Sequence, residues 1–120
     1  MTPREVLQTI AAAWCSRPAD AAAYFTEDAL YLEPPDKQRY VGRAALAEFF
    51  GEEPLRMEWH GLAYDEASRT AYGEYTFRGG NQYHGVVIAT FRNGLVASWR
   101  EYQYESDLPF EDFASGQGRS

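Results

Sequence analysis

At Leu55 the hydrophobic period of the chain changes from 3.6 to 2. Helices therefore come first and strands after, which is the α+β arrangement. Four strands are predicted, at Leu55–Tyr64, Thr70–Arg78, Tyr83–Arg92 and Leu95–Tyr104. Turn residues separate them: Asp65 to Arg69, Gly79-Gly80-Asn81 and Asn93-Gly94. Asn-Gly between two β-rich runs is the preferred type I′ hairpin, because both central residues need positive φ. Three successive hairpins make an antiparallel meander.

The N-terminal half reads as helix. Thr2 and Glu5 form a T-x-x-E capping box, with Pro3 at the first helical position, where its missing N–H costs nothing. Val6, Leu7, Ile10, Ala13 and Trp14 follow at helical spacing, and the helix is predicted to end near Cys15 to Arg17. Pro18 opens a second short helix through Phe25, with Asp20 in its first turn, where the helix dipole favours negative charge. Ala29–Glu33 reads as a strand stopped by Pro34 and Pro35, which cannot donate to a ladder. A loop is predicted through Tyr40, then a third helix from Arg43 to Phe50 between Gly42 and Gly51, with Leu46, Phe49 and Phe50 as its buried stripe. The expected organisation is one domain over 1–106 and a partly flexible tail over 107–120, in which Phe110 and Phe113 dock before the end frays.

Composition excludes several roles. A net charge of −7 repels a phosphate backbone, and no Lys or Arg run overrides it, so no nucleic-acid partner is expected. No apolar stretch approaches a membrane span, and Met-Thr-Pro-Arg-Glu is not a basic segment leading into an apolar one. With the single Cys15, these features make a cytoplasmic location the expectation. Cys15, His60 and His84 cannot supply a four-ligand zinc site without carboxylates, so no metal is expected. The 3 Trp, 9 Tyr and 7 Phe offer apolar faces, several with a polar tip, of the kind that line ligand cavities.

Three stretches carry a family resemblance: Ala13-Trp14-Cys15 leading to Ala23-Tyr24-Phe25-Thr26-Glu27-Asp28-Ala29; Tyr31-Leu32-Glu33-Pro34-Pro35 with Val41-Gly42-Arg43-Ala44-Ala45-Leu46; and Phe91-Arg92-Asn93-Gly94 with Ser98-Trp99-Arg100-Glu101-Tyr102. In this order and spacing, up to about Glu105, the chain resembles the NTF2-like superfamily, which includes SnoaL-type polyketide cyclases, ketosteroid isomerases, scytalone dehydratase and limonene-epoxide hydrolases. The resemblance implies a cone-shaped, cystatin-like α+β fold with three N-terminal helices packed on a strongly curved, mostly antiparallel sheet. That fold hosts many chemistries and many non-enzymes, so function must be argued from the site.

The resemblance makes Glu33 the first catalytic candidate, since the general base of ketosteroid isomerases is an acid just before a proline at the end of the first strand. A carboxylate there, inside an apolar cone, loses solvation and moves toward proton-transfer range. The alternative is a rim position in water. On the last strand Leu95, Ala97, Trp99, Glu101 and Gln103 share one face, and the resemblance turns that face to the cavity. Glu101 is then a second acid, Trp99 a wall with one donor and Gln103 a polar contact. An arginine across the sheet would instead satisfy Glu101. Tyr72 and Glu74, on one face with Thr76, join the cavity unless the register slips by one residue. Trp14 and Tyr31 shape the pocket, and His84 orients or protonates a ligand.

The departures count too. The positions where ketosteroid isomerases carry an oxyanion tyrosine and a second acid align near Ile10 and Val87, both apolar. No arginine falls on the cavity face, as an epoxide hydrolase of the limonene type requires, and two histidines hardly reproduce the scytalone dehydratase set. The expected function is cofactor-free general acid/base chemistry of isomerase, cyclase or dehydratase type on a small, apolar or aromatic, carbonyl-bearing ligand. The alternatives are a non-catalytic ligand-binding or dimeric interaction module and a binder of cationic ligands through its acids and aromatic walls. A homodimer through the sheet is expected from Arg100, Tyr102 and Tyr104 on the opposite face of the last strand.

Overall fold

The capping box forms as its residues dictate. In the computed structural model, which describes residues 1–116, the Glu5 N–H donates to Thr2 Oγ1 at 3.1 Å and the Thr2 N–H donates to Glu5 Oε1 at 2.7 Å. Helix α1 runs Pro3–Trp14 and buries Val6, Leu7, Ile10, Ala11 and Trp14. Pro18–Tyr24 is a 3₁₀ segment rather than an α-helix. Strand β1 spans Phe25–Glu33, four residues longer at its start than Ala29–Glu33. Helix α2 occupies Arg43–Phe50.

The loop expected before α2 contains a strand. The prolines do end β1, but the chain reverses and β2, Gln38–Val41, pairs back onto it from Leu30↔Val41 to Glu33↔Gln38. The four later strands lie close to their predicted bounds: β3 Arg56–Asp65, β4 Thr70–Arg78, β5 Gln82–Arg92 and β6 Leu95–Glu105. Asn93 and Gly94 take φ of 54° and 81°, as a type I′ turn requires.

One sheet holds all six strands in the order β2-β1-β6-β5-β4-β3. The β1–β6 pairing is parallel and the rest are antiparallel. Irregularities in the β1–β6, β3–β4 and β5–β6 ladders bend this curved, unclosed sheet. Its inner face packs on α1, α2 and the 3₁₀ segment around Phe25, Leu7, Ile10, Leu46, Val87, Val96 and Trp99, all fully buried. Val96 corrects the expected alternation on β6: Phe91 pairs with Val96 but Thr90 pairs with Ser98, so Ala97 is bulged out and Val96 turns inward.

A third helix, α3 (Phe110–Ser115), follows β6. Phe110 and Phe113 dock as expected: Phe110 stacks on His60 at 3.5 Å between ring centroids, and Phe113 lies 4.4 Å from the His84 ring. The remainder of the tail expectation, 117–120, lies outside the described residues. Among the described residues no helix is long and apolar enough to cross a membrane. Arg100, Tyr102 and Tyr104 are exposed on the outer face.

Candidate functional site

The parallel pairing of β1 with β6 sets Tyr31 opposite Trp99. Their rings lie parallel with centroids 5.7 Å apart, and two residues on along β6 the Glu101 side chain points from the same face. Glu101 Oε1 accepts from Tyr31 Oη at 2.7 Å and from Trp99 Nε1 at 2.8 Å. All three residues are buried. They border a hollow of about 260 Å³ between sheet and helices. Trp14 of α1 and Phe49 and Phe50 of α2 close one side; Leu55, Met57, Tyr75 and Phe77 close the other; Gln38 and Gln103 add polar edges. The volume falls just below the roughly 300–1,000 Å³ usual for small-molecule sites. Among the described residues its lining holds no arginine, lysine or histidine.

Burial pushes the Glu101 carboxyl above its ordinary range; the Tyr31 and Trp99 donors pull the other way, and the charge of Glu33 adds to the rise. Burial, reinforced by the Glu101 charge, also holds the Tyr31 phenol well above its ordinary value and raises that of Tyr75. The Tyr75 hydroxyl donates to Gln103 Oε1 at 2.7 Å. One donor is left over: Trp14 Nε1 is the buried side-chain nitrogen with no hydrogen-bond partner among the described residues.

Glu33 is buried, at 6% exposure, rather than in bulk water. It borders a second hollow at the mouth, lined also by Lys37, Tyr83, Tyr104 and Glu105, which shares Gln38, Phe77 and Gln103 with the first. The structure thus brings Trp14, Tyr31, Trp99, Glu101 and Gln103 to the aromatic hollow and Glu33 to the adjoining one.

Three candidates lie elsewhere. Tyr72 and Glu74 are exposed on the outer face, because β4 turns Ala71, Gly73, Tyr75 and Phe77 inward. The one-residue alternative applies, and Tyr75 takes the place expected of Tyr72. His84 is also on the outer face, buried beneath the tail rather than facing a ligand. Its Nε2 lies 2.7 Å from the Leu108 carbonyl oxygen and its Nδ1 2.8 Å from Thr76 Oγ1. The carbonyl can only accept, so Nε2 carries the proton in that bond and the ring acts as a structural clasp. Sequence reasoning missed Gln38, which lay in an expected loop, and Tyr75 and Phe77. A signal for the last two was present: Ala71, Gly73, Tyr75 and Phe77 are a more apolar set than Tyr72, Glu74 and Thr76. Among the described residues no three His, Cys, Asp or Glu side chains gather as a metal site requires.

Residues 6–99 match the family described as SnoaL-like domain. Among solved structures, a proposed ketosteroid isomerase from Kribbella flavida superposes with a TM-score of 0.74 at 24% identity, over 89% of this chain and 81% of that one. An NTF-2 like protein of unknown function from Burkholderia xenovorans gives 0.69 at 26% identity, over 93% and 91%. The epoxide hydrolase/cyclase-like enzyme SalBIII, of pyran ring formation in polyether salinomycin, gives 0.73 at 18% identity, over 85% and 90%. No curated protein matches the chain.

Proposed function

The chain belongs to the SnoaL-like domain family, and on that premise we propose that it binds a small, largely apolar, carbonyl-bearing metabolite in the aromatic hollow and moves a proton on it with Glu101. One observation carries the reading: the carboxyl group that borders the hollow is buried among aromatic rings and shifted upward by that burial. A carboxylate in an apolar cavity with no opposite charge beside it is costly, and a raised value brings a carboxyl toward the range in which it exchanges protons efficiently near neutrality. Tyr31 and Trp99 both donate to Oε1, which fixes the group's orientation and leaves Oε2 for a ligand.

In the ionised form Glu101 takes a proton from the carbon beside the carbonyl; the C–H electron pair forms the C=C bond of the enolate and the carbonyl π pair moves onto oxygen. The protonated carboxyl exchanges with solvent through the hollow and then delivers a proton to that carbon or to a conjugated one. Developing charge on the oxygen needs a donor. Trp14 lines the hollow, and its unpartnered Nε1 is sealed from solvent, so it can donate to a ligand oxygen only after the indole turns. Glu33, the first candidate by resemblance, borders the mouth, so the proton step is assigned to Glu101 instead.

The test is hydrogen–deuterium exchange at the α-carbon of 1-tetralone, followed by NMR in D2O with and without the protein. Exchange above the buffer rate is expected. Bound tetralone with exchange at the buffer rate would leave a binding module and remove the enzyme.

A further inference from the structure

Glu33 has no part in the proton step beyond the charge its carboxylate places near Glu101. Its side chain is 8% exposed, yet among the described residues no donor hydrogen-bonds to its carboxylate. The nearest opposite charge is Lys37 Nζ, 3.8 Å from Oε2 and beyond hydrogen-bond reach, on a side chain that is itself 60% exposed. The Glu33 carboxylate borders open space, the mouth hollow, rather than packed protein. Among the described residues neither oxygen is sealed from solvent without a partner, so the group is open to whatever enters that hollow. Here the free side faces a hollow whose polar lining adds a second carboxylate, Glu105, and the amides of Gln38 and Gln103. The two hollows share Gln38, Phe77 and Gln103 in their linings and so lie side by side.

We propose that the mouth is a subsite for a protonated amine carried by the ligand, with Glu33 as its acceptor. The inference rests on the aromatic hollow holding the ligand's apolar body and adds what the other end must be. Two carboxylates against one lysine disfavour an anionic group. An ammonium gains a charge-assisted hydrogen bond that a hydroxyl gains only in its weaker, neutral form. Lys37, on its exposed stem, can swing aside.

Three probes with the same ring and different ends separate the possibilities: 2-phenylethylamine, 2-phenylethanol and phenylacetate, titrated by calorimetry at neutral pH and low salt. The amine is expected to bind about ten-fold tighter than the alcohol, and phenylacetate weakest. Glu33→Gln should bring the amine to within about two-fold of the alcohol and leave the alcohol unchanged. Lys37→Ala, at an exposed position that does not threaten folding, should tighten the amine severalfold and not the alcohol, because it removes a competing cation. Equal binding of amine and alcohol to the wild type, or a preference that survives Glu33→Gln, overturns the subsite. If tetralone still exchanges in that case, the aromatic hollow stands and the subsite alone falls. If no phenyl compound binds, the hollow itself is refuted and the subsite with it.

Discussion

Glu101→Gln is expected to lower α-hydrogen exchange into 1-tetralone by about 10²–10⁴-fold, the usual contribution of a positioned general acid or base. The substitution keeps shape. A glutamine carbonyl oxygen can still accept from Tyr31 Oη and Trp99 Nε1, which donate to Oε1 in the wild type. Tetralone affinity should therefore hold while the rate collapses, the pattern of a lost proton-transfer group rather than a damaged cavity. Stability should shift the opposite way to activity. The Glu101 carboxyl has a folded-state value above its ordinary one, chiefly through burial. The stability linked to it is fully present below the ordinary glutamate value and is lost as pH rises through the folded one. Glutamine cannot ionise, so the variant should gain on the wild type as pH rises. Urea midpoints across acid to mildly alkaline pH will read this directly, and a gap that closes toward alkaline pH would contradict the assignment.

Trp99→Ala should cost about 3–5 kcal/mol, a large part of the roughly 5–15 kcal/mol that holds a domain folded. Trp99 is 1% exposed and sits where the aromatic cluster converges. Its ring centroid lies 5.4 Å from that of Trp14, 5.7 Å from Tyr31, 6.0 Å from Phe25 and 6.2 Å from Trp59. These contacts join α1, β1, β3 and β6, so the void cannot close by moving one side chain. The same change removes a donor from Glu101. Trp99→Phe keeps a ring and loses the donor, so it should cost less stability while still disturbing the carboxyl. Equal losses for the two variants, in chemical denaturation, would show that packing at this position is not what matters.

What the sequence reveals follows from how local each determinant is. The capping box at Thr2 and Glu5 and the Asn93-Gly94 turn are complete within four residues, and both form as read. Strand bounds after Leu55 were legible because alternation and turn chemistry agreed. The first half of β1 was not, since Glu27 and Asp28 are exposed acids and Phe25 is strand only through its pairing with Val96. Strand β2 is short, polar and preceded by two prolines, and its partner alone makes it a strand. Alternation also fixes two faces without saying which is inner, and that ambiguity put Tyr72 and Glu74 in the hollow. His84 read as a ligand contact because the element that covers it, α3, comes from a tail whose docking lies 24 residues away at Leu108.

The central claim is that the Glu101 carboxyl meets the ligand in the aromatic hollow. Its side-chain carbon resonance, assigned by comparison with Glu101→Gln, can be followed by NMR through a pH titration with and without 1-tetralone. The midpoint is expected above the ordinary glutamate range and should move when tetralone is added. A midpoint at the ordinary value, unmoved by the ketone, would contradict the account.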